Sequence, residues 1–339
     1  MKKSKLCFII ASVFLLMSVM STAVMAKDLT LSSWLPPKHH VVTGMIQPWI
    51  DNVKEATDGR VSIKILPKKL GAVPAHFDLA KNGIADVTYG CNSYTAGRFD
   101  LSQFTELPFL GNKAEPLCVA YWRTYQKYFA KADEYRGVRL LGMFVHGPAS
   151  IHNSKKRIDS VADLKGMKFR VPGGIAAELS KMMGIVGLQK PASKSYEILS
   201  RGVADGILFP KSSIKAFNLI KLVPYTTIVP DGLYNFSFFL VMNKDKFKSF
   251  SAKDQKAVLR ESGEKFAKIA GKTWDKMDKV GLDAIKAAGN DVITASPEFI
   301  AQIKPLAAKV EADWIKKANA KGIDGAEALR YFREQVKNY

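Results

Sequence analysis

The sequence predicts an α/β protein built from two lobes, and three observations support this prediction. Stretches that alternate apolar and polar residues, such as "DLTLSSW" and "RVSIKILP", are separated by stretches with apolar residues at helical spacing. The pattern Gly-Ile/Val-Ala-Asp follows a predicted helix twice, at residues 83–86 and 202–205. The last third of the chain has only helical patterns of any length. Strands that alternate with helices of this length indicate layers around a largely parallel sheet.

The first 26 residues have the features of a secretory leader. Three lysines precede an apolar run over residues 6–20, and Val24 and Ala26 are small residues at the usual cleavage spacing. The apolar run is shorter than the ~20 residues that a membrane-spanning helix needs. We therefore expect residues 1–26 to be a cleaved signal peptide and the exported protein to begin near Lys27.

The predicted elements follow in order. A helix with apolar residues at helical spacing from Val42 to Val53 ends at a turn, Asp58-Gly59. The predicted strands of the first lobe end near residues 32, 66, 90 and 145. In the second lobe, a strand ends at "FRV", and "YEILSRGVADGILFP" runs from helix into strand. Residues 251–289 predict one long helix, interrupted near Gly271, and residues 296–322 predict a second helix that Pro305 kinks. These helices are expected to pack across both lobes.

Composition excludes several kinds of function. The leader holds three of the 51 basic residues, which leaves 48 against 31 acidic residues, a net charge of +17. The lysines are scattered along helices, which favours a solvated surface over a field that attracts anions. No stretch has the pattern of a nucleic-acid-binding module, so no nucleic acid is expected as a partner. Cys91 and Cys118 could form a disulfide or remain as buried thiols.

Signatures of catalysis are missing from the sequence. There is no Gly-rich phosphate loop, HExxH, CxxC or Gly-x-Ser-x-Gly motif. His39 and His40 form the only adjacent histidine pair, and neighbouring residues on one element rarely bind the same metal. We therefore expect a binding protein with no metal and no cofactor.

One arginine stands at the end of a predicted strand. In "GMKFRVPGG", Phe169 and Val171 flank Arg170, and residues 172–174 then break the strand. A guanidinium group offers a rigid fork of donors that matches the two oxygens of a carboxylate. Capture of a small anion is one interpretation, and an inter-strand salt bridge is the other.

Six stretches occur in a characteristic order: "NVKEATDGRVSIKILPKKLG", "GIADVTYG", "ELPFL", "SVADLKGMKFRVPGG", "GVADGILFP" and "FFLVMNKDKF". In this order they resemble the solute-binding subunits of tripartite ATP-independent periplasmic (TRAP) transporters, of the dicarboxylate-binding-protein-like class. The resemblance implies a periplasmic, non-enzymatic, monomeric protein with a periplasmic-binding-protein fold: a ligand cleft between two lobes and a long C-terminal helix bracing both. We assign residues 27–148 and about 237–280 to lobe I, and 149–236 and about 281–339 to lobe II.

The resemblance also implies a ligand and its contacts. Arg170 would hold the carboxylate of an organic acid anion, Trp34 and Phe209 would enclose its body, and Asn235 would bond a polar substituent. Further candidates lie at predicted strand ends or beside them, and core packing is an equal interpretation for the last two: Tyr89, Gly90, His39, Ser150, Tyr94 and Tyr234.

The loop "HGPASIHN" lacks the second arginine that some relatives use, which favours a monocarboxylate with an apolar or aromatic body, with a 2-oxo or 2-hydroxy group as an option. The expected partners are this anion and the membrane subunits of a TRAP transporter. Alternatives are a C4-dicarboxylate, whose second charge His39, His146 or Lys211 would bind, and a sulfonate. Two further alternatives are an exported enzyme with His39 or His146 as a base, and a protein that presents its ligand to a sensor kinase.

Overall fold

The computed structural model describes residues 27–339, and the predicted signal peptide lies outside them. Eleven strands follow one another along these residues: β1 (Lys27–Ser32), β2 (Val61–Ile65), β3 (Val87–Cys91), β4 (Val138–Val145), β5 (Ala149–Asn153), β6 (Lys168–Val171), β7 (Val186–Gln189), β8 (Gly206–Pro210), β9 (Tyr225–Ile228), β10 (Ser237–Asn243) and β11 (Asp291–Thr294).

The described residues also form eleven α-helices: α1 (Gln47–Ala56), α2 (His76–Lys81), α3 (Ala114–Thr124), α4 (Gly174–Met182), α5 (Ser195–Ser200), α6 (Lys211–Ala216), α7 (Lys244–Lys248), α8 (Ala252–Glu261), α9 (Gly263–Ala287), α10 (Pro297–Ala320) and α11 (Gly325–Lys337). Within residues 27–339, none of the helices is long and apolar enough to span a membrane.

The strands form two separate sheets, which confirms the two-lobe α/β prediction. The first sheet has the order β2-β1-β3-β10-β4, and the second has the order β11-β9-β5-β8-β6-β7. Each sheet is largely parallel, as predicted, with one strand that runs antiparallel to its neighbours: β10 in the first sheet and β5 in the second. β4 runs toward the second lobe and β10 returns from it, so the two strands pair antiparallel. β5 follows this crossing and runs into the second lobe, whereas β9 runs back toward the first lobe. β5 and β9 therefore pair antiparallel as well.

Two chain segments cross between the lobes side by side. The amide of His146 donates to the carbonyl of Phe236 over 3.2 Å, and the amide of Ala149 donates to the carbonyl of Tyr234 over 3.0 Å. The amide of Leu233 returns a bond of 3.2 Å to the carbonyl of Ala149. We call residues 146–149 and 233–236 the crossover pair. It forms the base of the cleft between the lobes.

The long helix that spans both lobes is confirmed, but its interruption is misplaced in the prediction. The break separates α8 from α9 at Ser262 and Gly263, where Gly263 has φ +59°. A Cβ at Gly263 would lie 2.8 Å from the ring of Trp122, so a glycine fits there. Gly271 stays inside α9, where the backbone of Glu115 packs against it. From there α9 contacts α3 and β4 of the first lobe and α6 of the second.

A proline near the start of α1 leaves a backbone carbonyl free, and a side chain of α9 bonds it. Pro48 has no N–H to bond the carbonyl of Gly44, and residues 42–46 form a wider π-helical turn. The hydroxyl of Thr273 in α9 donates to this carbonyl over 2.8 Å. This contact joins α9 to the first lobe one residue before Trp274.

The C-terminal helices connect the lobes a second time. α10 continues through Pro305 without ending there, and it contacts both α4 of the second lobe and residues 101–106 of the first. α11 packs against α3. The division of the chain into lobes at the residues given above stays a prediction.

Candidate ligand-binding site

A narrow cavity, with an internal volume of about 30 Å³, lies between the lobes beside the crossover pair. Eight large aromatic side chains line it: Trp34, Tyr94, Phe209, Phe217, Tyr234, Phe236, Phe238 and Trp274. The cavity is therefore suited to an apolar or aromatic ligand body.

Among residues 27–339, Arg170 is the only lysine or arginine that lines this cavity. The residue is 1% exposed, and its Nε donates to the carbonyl of Lys190 over 2.8 Å. Nη2 donates to the hydroxyl of Tyr94 over 3.2 Å, and the guanidinium carbon lies 5.1 Å from the ring centroid of Phe209. Within residues 27–339 no carboxylate pairs with it, so the inter-strand salt bridge considered above is not formed. A buried cation without an anionic partner is costly unless an anion joins it.

Tyr94 connects the two lobes across the cavity. Its hydroxyl accepts hydrogen bonds from Nη2 of Arg170 and, over 2.9 Å, from the amide of Ala192 in the second lobe. Burial raises the pKa of Tyr94 to about 12, although the nearby Arg170 charge opposes the shift. The phenol is therefore neutral, and it holds the guanidinium in a fixed orientation.

The loop after β1 contributes two side chains to the opposite wall. Trp34 Nε1 and His39 Nε2 are both buried and have no hydrogen-bond partner among the described residues. His39 Nδ1 accepts a bond of 3.2 Å from the amide of Val41, and the ring lies 5.6 Å from Phe217 of the second lobe. Burial lowers the pKa of His39 to about 4, so its ring is neutral near pH 7.

Two further predicted contacts line the cavity through their rings. Phe209 lies at the end of β8, 5.6 Å from Phe217, and closes the cavity on the side of the second lobe. The Tyr234 hydroxyl donates to the carbonyl of Leu208 over 2.9 Å, so it is engaged within the second lobe and the ring alone faces the ligand space.

Four of the predicted residues do not line the cavity. Tyr89 is buried 6.1 Å from Trp34, and its hydroxyl bonds that of Ser33 over 2.6 Å. Gly90 packs against the ring of Phe239. Asn235 Nδ2 donates to the carbonyl of His146 over 2.8 Å, so this amide supports the crossover pair.

Ser150 is the fourth of these residues, and the prediction that it lies in a loop is wrong. Ser150 lies inside β5, buried and in register with Phe209 of β8. The sequence "HGPAS" contains turn residues, but the chain passes through it directly from one sheet into the next. Whether Ser150, Tyr89, Gly90 or Asn235 contacts a ligand stays a prediction.

Comparison with known proteins identifies the chain. Residues 31–317 match the family model described as bacterial extracellular solute-binding protein, family 7. A solved TRAP periplasmic solute-binding protein from Bordetella bronchiseptica, with bound (R)-mandelate and (S)-mandelate, is 40% identical and has a TM-score of 0.90, covering 92% of this chain and 99% of that one. The chain belongs to the family of TRAP transporter solute-binding proteins.

Other relatives of this solute-binding protein extend the comparison. A TRAP solute-binding protein from Rhodoferax ferrireducens, in complex with copurified benzoate, is 28% identical with a TM-score of 0.86, over 92% of this chain and 98% of that one. A relative from Comamonas testosteroni, named outer membrane transporter protein TsaT, is 31% identical over 309 residues, 91% of either chain. The family consists of periplasmic receptors without enzymatic activity, so the enzyme alternative is set aside.

Sequence reasoning missed several residues of this solute-binding protein's cavity. Trp274 projects from α9, and Phe217 follows α6, so their apolar spacing resembles that of any buried helix face. His146, directly after β4, is predicted above only as a partner for a second ligand charge or as a base of the enzyme alternative. Its place before Gly147-Pro148, at a strand end, is the one signal that could have ranked it higher.

The two cysteines of the described chain are free and buried. Cys118 Sγ accepts a bond of 3.3 Å from the amide of Val145 inside the first lobe, whereas Cys91 lines the cavity. Burial raises the pKa of both thiols, which keeps them in the unreactive thiol form.

We expect iodoacetamide to label neither cysteine rapidly in the folded mature protein and both in denaturant, as measured by mass spectrometry. Any slow labelling under native conditions should fall on Cys91, because Cys91 alone adjoins the cavity, and a bound ligand should slow it further. A protein that shows no labelling in denaturant without a reducing agent would contain the disulfide and contradict the structure.

Proposed function

We propose that this protein captures a monocarboxylate with an aromatic body in the cavity between its lobes. The observation that carries the proposal is Arg170, a buried guanidinium group with no anionic partner in the described chain, at the edge of an aromatic cavity. The carboxylate would supply the missing negative charge, and the rings would surround the body of the ligand. The mandelate and benzoate of the two solved relatives belong to this chemical class.

A C4-dicarboxylate fits the cavity less well. Its second carboxylate would need another cation, but His39 and His146 are kept neutral by burial, which lowers the pKa of each. Lys211 points away: its Nζ lies 3.5 Å from the carbonyl of Pro148 and 4.0 Å from Asp278 of α9. A second buried charge without a partner would cost several kcal/mol, on the order of the penalty for an unpaired ion.

The proposal places the protein in uptake. The mature chain, released from the signal peptide of residues 1–26, would bind the acid in the periplasm as a monomer and deliver it to the membrane subunits of a TRAP transporter. The Tyr94–Arg170 and Tyr94–Ala192 contacts join the lobes next to the ligand space, so a ligand held by Arg170 would favour the closed arrangement. The closed surface would then be the one that the membrane subunits recognise.

A thermal-shift screen of the mature protein, followed by calorimetry, tests this function. We expect mandelate and benzoate to stabilise it by about 2.7 kcal/mol at a hundred times the dissociation constant, which raises the midpoint by several degrees. Benzamide is the matched control, because it keeps the ring and shape of benzoate but lacks the charge, and it should give no shift. A response confined to succinate, or to benzenesulfonate, would contradict the monocarboxylate proposal in favour of the dicarboxylate or sulfonate alternative.

A further inference from the structure

The two histidines that line the cavity present nitrogen atoms of opposite hydrogen-bonding character. His146 Nδ1 lies 2.6 Å from the carbonyl oxygen of Gly147. A carbonyl oxygen can only accept, so Nδ1 carries the hydrogen, and Nε2 of the neutral ring is a bare acceptor. His39 is the reverse case. Its Nδ1 accepts from the amide of Val41, so its hydrogen is on Nε2, which is a donor.

Neither Nε2 atom has a hydrogen-bond partner in the part of the chain that the structure describes. His39 Nε2 is fully buried without one, and no bond to His146 Nε2 is formed. The neighbours of the His146 ring are themselves aromatic: Tyr234 at 5.4 Å, Trp274 at 5.9 Å and Phe236 at 6.2 Å. Buried polar atoms of native proteins are nearly always satisfied, so His39 Nε2 points to a group on a ligand. His146 is 3% exposed and lines the same cavity, so its Nε2 is an acceptor that a ligand can reach.

His146 is held in place on both sides of its backbone. Its amide donates to the carbonyl of Phe236, and its own carbonyl accepts from Asn235 Nδ2. The bond from Nδ1 to Gly147 then fixes the ring itself. An acceptor held this rigidly on the crossover pair loses little conformational freedom when it bonds a ligand.

We propose that His146 Nε2 accepts a hydrogen bond from a hydroxyl group next to the ligand carboxylate, and that His39 Nε2–H donates to the oxygen of the same hydroxyl group. The inference rests on the proposed function and narrows it to 2-hydroxy acids with an aromatic body. The hydroxyl lies near the carboxylate because Arg170 and His146 line the same narrow cavity. Phe236 packs against the His146 ring at 6.2 Å and against the ring of Tyr94 at 5.1 Å, and the Tyr94 hydroxyl bonds Arg170. A 2-oxo group only accepts, so it satisfies His39 and leaves His146 unpaired, and a plain methylene satisfies neither.

Three ligands of one shape separate these cases in calorimetry: mandelate (2-hydroxy), phenylglyoxylate (2-oxo) and phenylacetate (unsubstituted). We expect mandelate to bind at least roughly tenfold more tightly than phenylacetate, because one buried acceptor and one buried donor gain partners. Phenylglyoxylate should bind more weakly than mandelate. 3-Hydroxyphenylacetate, which carries its hydroxyl on the ring, should not match mandelate.

Two variants distinguish the histidines. His146→Phe keeps an aromatic ring but removes the acceptor, so it should weaken mandelate about tenfold more than it weakens phenylacetate. His39→Phe removes the donor and should weaken mandelate and phenylglyoxylate together. His146→Gln, which restores an acceptor, should recover part of the mandelate affinity.

The inference is overturned if the wild-type protein binds mandelate and phenylacetate equally, or if 3-hydroxyphenylacetate binds best. It is also overturned if His146→Phe weakens the binding of all ligands alike, because that result would indicate a structural role for His146. In each of those cases the aromatic acids still bind, so the proposed function survives. Binding of none of them to the wild-type protein would overturn the proposed function and this inference together.

Discussion

Replacing Arg170 with alanine is expected to lower the affinity for an aromatic monocarboxylate roughly thirtyfold to several-thousandfold, corresponding to the loss of about 2–5 kcal/mol for a buried charge pair. The thermal midpoint without ligand should change little. The guanidinium group has no ionic partner in residues 27–339, and its removal costs only the bonds to Lys190 and Tyr94 while ending the burial of an unpaired charge. The variant should therefore fold normally and lose only the ligand-induced shift.

Arg170→Lys and Arg201→Ala serve as controls for this result. Lysine keeps the positive charge but lacks the planar fork, so Arg170→Lys should recover only part of the affinity. Arg201 lies in the same lobe, and its side chain is 71% exposed. Arg201→Ala removes one positive charge from that lobe without touching the cavity, so it should leave the dissociation constant unchanged. An Arg170→Ala protein that bound the acid with wild-type affinity would remove the basis of the proposed function.

Strands and helices could be predicted from the sequence where their pattern of apolar residues was regular and long. β1, β2, β4 and β10 were all recognisable from alternation or apolar runs, and the turns after the helices marked their ends. β7, β9 and β11 were missed because each has only four residues, too few to show a pattern, and β7 and β11 are also partly exposed edge strands. β5 was predicted as a loop because turn residues precede it. The antiparallel pairing was not foreseeable from local patterns, since it results from the chain crossing twice between lobes.

The site was predicted where a side chain stood beside turn residues. Arg170, Trp34 and Phe209 all adjoin such residues, and all three line the cavity. Trp274 and Phe217 could not be separated from core residues, because only the packing of α9 and α6 against the cleft brings them there. Asn235 also lies beside a strand end, but its side chain bonds the carbonyl of His146 within the crossover pair. That carbonyl is 89 residues earlier in the chain, so the contact could not be predicted from local sequence.

Glu106 is the carboxylate whose loss should cost the most stability. It is fully buried at the junction of the lobes and accepts bonds from the hydroxyl of Ser93 over 2.7 Å and from the hydroxyl of Ser237 over 2.6 Å. The amide of Ser237 donates to it as well, over 3.2 Å, and α4 of the second lobe begins against it. A Cβ at Gly174 would lie 2.6 Å from Glu106 Oε2, so only glycine fits there.

We expect Glu106→Ala to destabilise the protein by about 3 kcal/mol or more, because several buried donors lose their only acceptor. Urea unfolding of the mature protein would measure the loss. Glu106→Gln, which keeps the shape and one acceptor oxygen, should retain most of the stability at pH 5. If alanine cost no more than glutamine at that pH, the serine hydroxyls and the α4 terminus would have found other partners, and the junction would not depend on this side chain.

The difference in stability between the wild-type protein and Glu106→Gln should change with pH in one direction. Burial raises the pKa of Glu106 from 4.5 to about 7, against the opposing effect of the bonds from Ser237 and Ser93. A carboxyl group with a raised pKa binds its proton more tightly in the folded chain, so its contribution to stability is complete below pH 4.5 and is lost as the pH rises through 7. The wild-type protein should thus lose roughly 3 kcal/mol relative to Glu106→Gln between pH 4.5 and 7. The buried histidines titrate identically in both proteins, so their effect cancels from the difference in stability. If the wild-type protein became more stable relative to the variant as the pH rises, the hydrogen-bond donors, rather than burial, would determine the charge of Glu106.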